Sequence, residues 1–353
     1  MVNSFAPGQS LIWTIFSLLC ISTVFAKEVD GVFKSIDSLT FYQGDRNSPF
    51  DFYKAEVSWS LDPSKISTGD TFSLNMPYVY EVRLTTGSGF QNFFDIVLGD
   101  GKHIASCTID QAGGRSLATK VNCQLTADVS SYQSLSGKLD FDVVFEGGGR
   151  VETVEGAKQW TAGSNTVTWN GDLQNSIYIN PQSSNKQYYL SRYTMKGDMW
   201  NYFITGDSFC YGSGISRGTL KFSISGGPGG DFGVLDRNLI EFKTTNDVSP
   251  FNLPKSYGDA SDVQMSYSNF GKDVTISFGN VNAGDRIWLS AFRKFAFTNS
   301  RYSIKYQLSA KCNNDLPDSY NQLINLQLVP GDAGSDGSGV GEYNLFFFLL
   351  MIS

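Results

Sequence analysis

Apolar and polar residues alternate with period two at several places in this chain. Phe72, Leu74 and Met76 share a face in Thr71–Met76. Leu139, Phe141, Val143 and Phe145 do so in Lys138–Phe145, opposite Lys138, Asp140 and Asp142. The same rhythm runs through Thr219–Ile224, Val274–Phe278 and Tyr302–Ala310. Alternation of this kind is the mark of half-buried strands in antiparallel sheets. Turn signals fall between the runs: Gly69-Asp70, Gly99-Asp100-Gly101, Gly147-Gly148-Gly149, Asn170-Gly171, Gly226–Gly230 and Ala283-Gly284-Asp285. No segment predicts a helix longer than about two turns. The expected class is all-β, built from β-sandwiches.

Two segments depart from this rhythm. Residues 10–26 (SLIWTIFSLLCISTVFA) are continuously apolar and end in Val-Phe-Ala, which predicts a secretory signal at 1–26 cleaved after Ala26. The other end reads PGDAGSDGSGV and then GEYNLFFFLLMIS. Small residues, a polar spacer and an apolar tail are the order of a GPI-anchor signal. The expectation is an exported protein of the cell surface or cell wall, attached covalently through GPI or wall glucan. The polar stretch Pro181–Gln187 predicts a linker at 183–187 between domains 27–182 and 188–317, with 318–353 as a short tether and tail.

Composition narrows the function. Charged residues are 17% of the 353, aromatics are 14%, and the net charge of −7 disfavours nucleic acid as a partner. Outside the signal, four cysteines remain: Cys107, Cys123, Cys210 and Cys312. An even number in an exported chain predicts two disulfides. Three connectivities are formally open; Cys107–Cys123 with Cys210–Cys312 keeps each bridge inside one predicted domain. With His103 the sole histidine and no CxxC, neither a zinc site nor a Ser-His-Asp triad is favoured. No enzymatic motif, cofactor site or metal site is expected; the acidic turn Asp259–Asp262 lacks the ligand density of a calcium loop. Trp169, Trp200 and Trp288 are candidate platforms for a carbohydrate, or else core residues.

Several stretches, in order, resemble the fungal agglutinin-like adhesins, a group that includes the sexual α-agglutinin of budding yeast. They are Lys27–Phe41, Trp59-Ser60-Leu61, Gly69–Pro77, Ala105-Ser106-Cys107, Trp160–Thr168, Pro181–Ser184 and Asn280–Gly284. The resemblance implies two tandem immunoglobulin-like domains and a role in adhesion. It also implies that a protein or peptide ligand on another cell or a host surface binds in the groove between the domains. In that family a lysine at the closed end pairs with the peptide carboxylate, and an extended peptide adds backbone hydrogen bonds along a strand. The matching position here is Glu81, and Arg83, two residues on, shares its strand face and could supply the cation. The opposing expectation is an exposed Glu81–Arg83 pair on an outer face. Val79, Glu81, Arg83, Tyr188, Arg192, Arg293 and Arg301 are the candidate groove residues. Two further family cysteine pairs are absent together, at Tyr78 with Gln159 and at Arg237 with Asn269. A structural wall protein that keeps the fold without the groove is the alternative to an adhesin.

Overall fold

A computed structural model describes residues 26–43, 47–86, 89–181, 188–193, 198–226, 235–294, 300–328, 342–343 and 345–346. Two immunoglobulin-like sandwiches follow one another along the chain. In the first, one sheet runs β1 (Phe33–Gln43), β2 (Phe52–Leu61), β9 (Leu135–Phe145), β4 (Val79–Thr86) and β5 (Gly89–Gln91). The facing sheet runs β3 (Thr71–Pro77), β8 (Ala118–Leu125), β7 (His103–Asp110) and β6 (Phe93–Val97). A separate hairpin, β10 (Gly163–Trp169) and β11 (Leu173–Ile179), follows the short helix α1 (Val154–Gln159). All these pairings are antiparallel.

The alternation seen in the sequence is the burial pattern. Phe72, Leu74 and Met76 of β3 and Leu139, Phe141, Val143 and Phe145 of β9 all point into one core with Trp59, Trp160 and Trp169. Cys107 and Cys123 face each other across β7 and β8 and are bonded there.

The second sandwich places β12 (Tyr188–Tyr193), β13 (Asp198–Ile204), β18 (Arg286–Lys294) and β15 (Leu235–Thr245) in one sheet. Its other sheet is β16 (Gln264–Ser268), β17 (Asp273–Phe278), β14 (Ile215–Gly226), β19 (Ser300–Cys312) and β20 (Pro317–Leu328). Cys210 and Cys312 staple the corner before β14 to the end of β19. The strand β20 continues past residue 317 to Leu328, through part of the stretch whose polar composition reads as a tether. It is an edge strand with one face solvated, so polar side chains alternate along it without preventing pairing.

The sheet β12-β13-β18-β15 is covered on both faces. Met199, Phe203, Ile287, Leu289 and Ala291 point into the core of the second sandwich. Trp200, Tyr202, Ile204, Trp288 and Phe292 point the other way, into a third cluster with Tyr80 and Ala157 of the first sandwich. The two domains therefore share a core of their own. Phe251, from the loop after β15, reaches further still and is buried with the residues of the first sandwich.

Candidate functional site

The boundary between the sandwiches is built on an aromatic ladder. Ring centroids lie 4.6 Å apart for Phe292 and Trp200, 6.4 Å for Trp200 and Tyr202, and 5.4 Å for Tyr202 and Trp288. Period two on β13 and β18 brings these rings to one face. The first sandwich meets them with backbone. Trp200 Nε1 donates to the Gly113 carbonyl at 2.8 Å, and Trp288 Nε1 donates to the Gly149 carbonyl at 3.2 Å. Gly149 has φ +112°, and a Cβ there would stand 2.8 Å from the Tyr202 ring. The glycine run after β9 thus lets a ring lie flat against main chain.

Two ion pairs cross this boundary under cover. Arg192 Nη1 meets Glu146 Oε1 at 3.2 Å, with both side chains almost wholly buried. Its Nη2 donates to the Phe145 carbonyl at 2.6 Å, and its guanidinium lies over the rings of Tyr80 and Phe50. Arg150 Nη2 meets Glu241 Oε1 at 3.1 Å and Glu152 Oε2 at 2.8 Å, while Nη1 donates to the Gly114 carbonyl. The Val151 N–H donates to Glu241 Oε2 at 3.2 Å, and Arg150 lies over Trp200. Burial pushes the Glu146 and Glu241 carboxyls above the ordinary range, and the neighbouring arginines offset only part of that.

Other polar atoms in the same region are left over. The hydroxyls of Tyr80, Tyr202 and Tyr257, the second oxygen of Glu146 and the Nε of Arg150 are buried without a hydrogen-bond partner among the described residues. Burial raises all three tyrosine hydroxyls well above their usual range, and Glu146 adds to the rise in each. They are neutral donors at neutral pH. An orphaned polar atom in a native interior calls for a partner from water or ligand.

Of the candidate residues, Arg192 lies at this boundary. Val79 is a core residue of the first sandwich, and its carbonyl accepts the Thr119 hydroxyl. Glu81 and Arg83 share a face of β4 and form an ion pair at 3.2 Å, but the pair is buried rather than exposed, with Arg83 over the Phe52 ring. Glu81 also acts on the Tyr80 hydroxyl electrostatically. Arg293 points into the second sandwich, where Nη2 donates to the Lys272 carbonyl at 2.8 Å. Tyr188 begins β12 and Arg301 is the second residue of β19, and their side chains lie outside the described set, as do residues 1–25, 182–187 and 329–341. Sequence reasoning passed over Tyr80, Glu146, Arg150, Tyr202, Glu241 and Tyr257. The glycine run beside Glu146 and Arg150 was the available signal, since three successive glycines mark close backbone approach.

Trp169, Trp200 and Trp288 are all fully buried, so none is an exposed carbohydrate platform. Cys210, Cys312 and Asp318 cluster closely, but both sulfurs are occupied by the disulfide, and Asp318 Oδ2 accepts the Cys210 N–H.

Residues 58–312 match the family model described as agglutinin-like protein, N-terminal domain. The chain belongs to the agglutinin-like family. Among curated relatives, agglutinin-like protein 6 of Candida albicans is 29% identical over 334 residues, covering 89% of this chain and 23% of the relative. Agglutinin-like protein 4 of Candida albicans is 29% identical over 303 residues, covering 82% of this chain and 32% of the relative. The chain thus spans between about an eighth and a third of the length of the curated agglutinin-like relatives it matches. Among solved structures, the serine-rich repeat protein Srr2 of Streptococcus agalactiae aligns over 85% of this chain and 95% of its own, at 13% identity and TM-score 0.47. The collagen adhesin of S. aureus aligns over 86% and 95%, at 12% identity and TM-score 0.40.

Proposed function

We propose that this agglutinin-like chain is the binding head of a cell-surface adhesin, exported and held at the wall or membrane by a lipid or glucan linkage. It takes a protein or peptide ligand at the boundary between the two sandwiches. The observation that carries this reading is the set of buried tyrosine hydroxyls at that boundary that lack a hydrogen-bond partner among the described residues. Neutral hydroxyl donors beside Arg192 suit the carboxylate of a peptide end, and the cation would come from Arg192 or from Arg83, with Glu81 alongside. Tyr188 and Arg301 belong to the same proposal by their strand positions, whereas Val79 and Arg293 turn into the two sandwich interiors. The buried position of the three tryptophans argues against a carbohydrate-binding module.

The test is binding to peptides with free and amidated C-termini. Wild type should bind the free form and lose it on amidation, and Tyr202→Phe, which removes one hydroxyl, should bind more weakly. Failure of every peptide, with binding gained by Glu81→Lys, would instead support a wall protein or a head that docks a folded partner. The Glu81 position and the ion pairs already filling the boundary favour that second reading.

A further inference from the structure

The five-stranded sheet of the second sandwich buries its inner face in that sandwich's core, and its outer face turns away from the first sandwich. Antiparallel register lays the outer face out in rows across the strands. One row runs Gln264, Ser277, Thr219, Ser309 and Ser319. The next runs Ser266, Thr275, Lys221, Gln307 and Asn321. The face is rich in hydroxyls and amides, and no aromatic side chain stands on it among the described residues.

Its charge is almost all of one sign. Lys305 lies on the diagonal from Lys221, at about 7–8 Å by strand geometry. Arg217 is four residues from Lys221 along β14, or about 13 Å. Arg217 also stands directly opposite Lys311, a juxtaposition of like charges that costs a sheet stability. Asp315 answers Lys311 at 2.6 Å. Arg217, Lys221 and Lys305 meet no carboxylate among the described residues. Surface lysines elsewhere do, as Lys65 with Asp62, Lys158 with Glu155 and Lys243 with Asp259. The one acid on the face among the described residues, Asp273, is separated from Lys305 by Ser223 on the strand between. A chain of net charge −7 thus gathers unanswered cations on one polar face.

We propose that the outer face of this sheet docks an acidic polysaccharide, with carboxylates on Arg217, Lys221 and Lys305 and sugar hydroxyls on the serine, threonine, asparagine and glutamine side chains between them. Charge complementarity selects the partner. Duplex nucleic acid carries a charge about every 1.7 Å of its axis, far denser than these cations. A membrane surface is gripped by an apolar face, and Leu323 is the one large apolar side chain here among the described residues. A protein partner is held by aromatic anchors that this face lacks. Spaced cations among neutral donors and acceptors match a polymer charged at intervals. The contact is ionic and hydrogen-bonded, so it needs no aromatic platform and is untouched by the burial of the tryptophans. It lies across the second sandwich from the ligand boundary, so both sites can be filled at once.

The test is binding of the purified chain to hyaluronan, a polymer with a carboxylate on alternate sugars, beside neutral dextran and phosphatidylserine vesicles. Wild type should bind hyaluronan, release it as salt rises past about 0.15 M, and leave dextran and vesicles unbound. Lys221→Gln combined with Lys305→Gln should weaken binding about tenfold without moving the melting temperature. Lys34→Gln combined with Lys65→Gln removes as much charge from the first sandwich and should leave binding as it was. Absence of hyaluronan binding overturns the proposal. So does an equal loss in the two double variants, a Lys221/Lys305 double variant that binds as wild type does, or equal or tighter binding to dextran or to the vesicles.

Discussion

The guanidinium carbon of Arg192, on the second sandwich, lies 3.6 Å from the centre of the Tyr80 ring on the first. Stacking and the ion pair with Glu146 hold one side chain from two directions across the domain boundary. Removing one member of a buried pair leaves the other charge without compensation. Arg192→Met should therefore lower stability by about 3–5 kcal/mol. Adding Glu146→Gln to that variant should recover part of the loss. Urea unfolding of both single variants and the double variant measures this, and an additive double variant would show that the pair is not coupled.

Gly149 is the contact point for Tyr202 and has a backbone that L side chains rarely adopt. Gly149→Ala should cost at least about 1–3 kcal/mol, from overpacking and strain together. Gly284→Ala has a similar backbone but open space around it, so it reports the strain alone. The difference between the two melting shifts isolates the ring contact.

Glu241 gives the boundary a pH signature. Burial holds its carboxyl above the ordinary range even with Arg150 beside it. The folded chain keeps that proton where the unfolded chain has released it. The associated stability is complete below the unfolded value of about 4.3 and is lost as pH climbs through the folded value. Glu241→Gln cannot ionise, so it should gain on wild type as pH rises from about 4 to 7. Asp70 runs the opposite way. The Lys27 and Ser67 N–H groups hold its carboxylate below the usual range, so its contribution is present above about pH 4 and fades on acidification. Melting curves of wild type, Glu241→Gln and Asp70→Asn across that window separate the two signs.

The disulfides close loops of different size, with sequence separations of 16 for Cys107–Cys123 and 102 for Cys210–Cys312. In the loop-entropy view, opening the first by paired alanine substitution should cost about 3 kcal/mol and the second about 4.7. Guanidinium unfolding of the two double variants would reveal the order, and an equal loss would argue against a chain-entropy origin.

Strands with one wet face were legible in the sequence because their rhythm is their burial: β3, β9, β14, β17 and β19 all announce themselves. The central strands β13 and β18 did not. Met199–Ile204 and Ile287–Phe292 read as nearly continuous apolar runs because one sheet is packed on both sides. For the same reason the shared core between domains was hidden. Arg293 shows how composition misleads. Its neighbours Lys294 and Phe295 suggest a basic, aromatic rim, yet Ile287, Leu289 and Ala291 set an inward phase that Arg293 continues. The polar boundary residues were invisible for a different reason: Glu146 and Arg150 find their partners Arg192 and Glu241 46 and 91 positions away.

The staple between Cys210 and Cys312 acquires another meaning under tension. A pull on the chain beyond Leu328 loads β20 at its free end, where its bonds to β19 can open one after another. Peeling can proceed through Pro317 and the turn before it, but it halts at Cys312, because that residue is covalently tied to the corner ahead of β14. The released length is residues 313–328, about 50 Å when extended. Beyond that point the load passes through sulfur to Cys210, at the corner between β13 and β14. The strands β14 to β19, which lie between the two cysteines, are then bypassed while the molecule pays out slack.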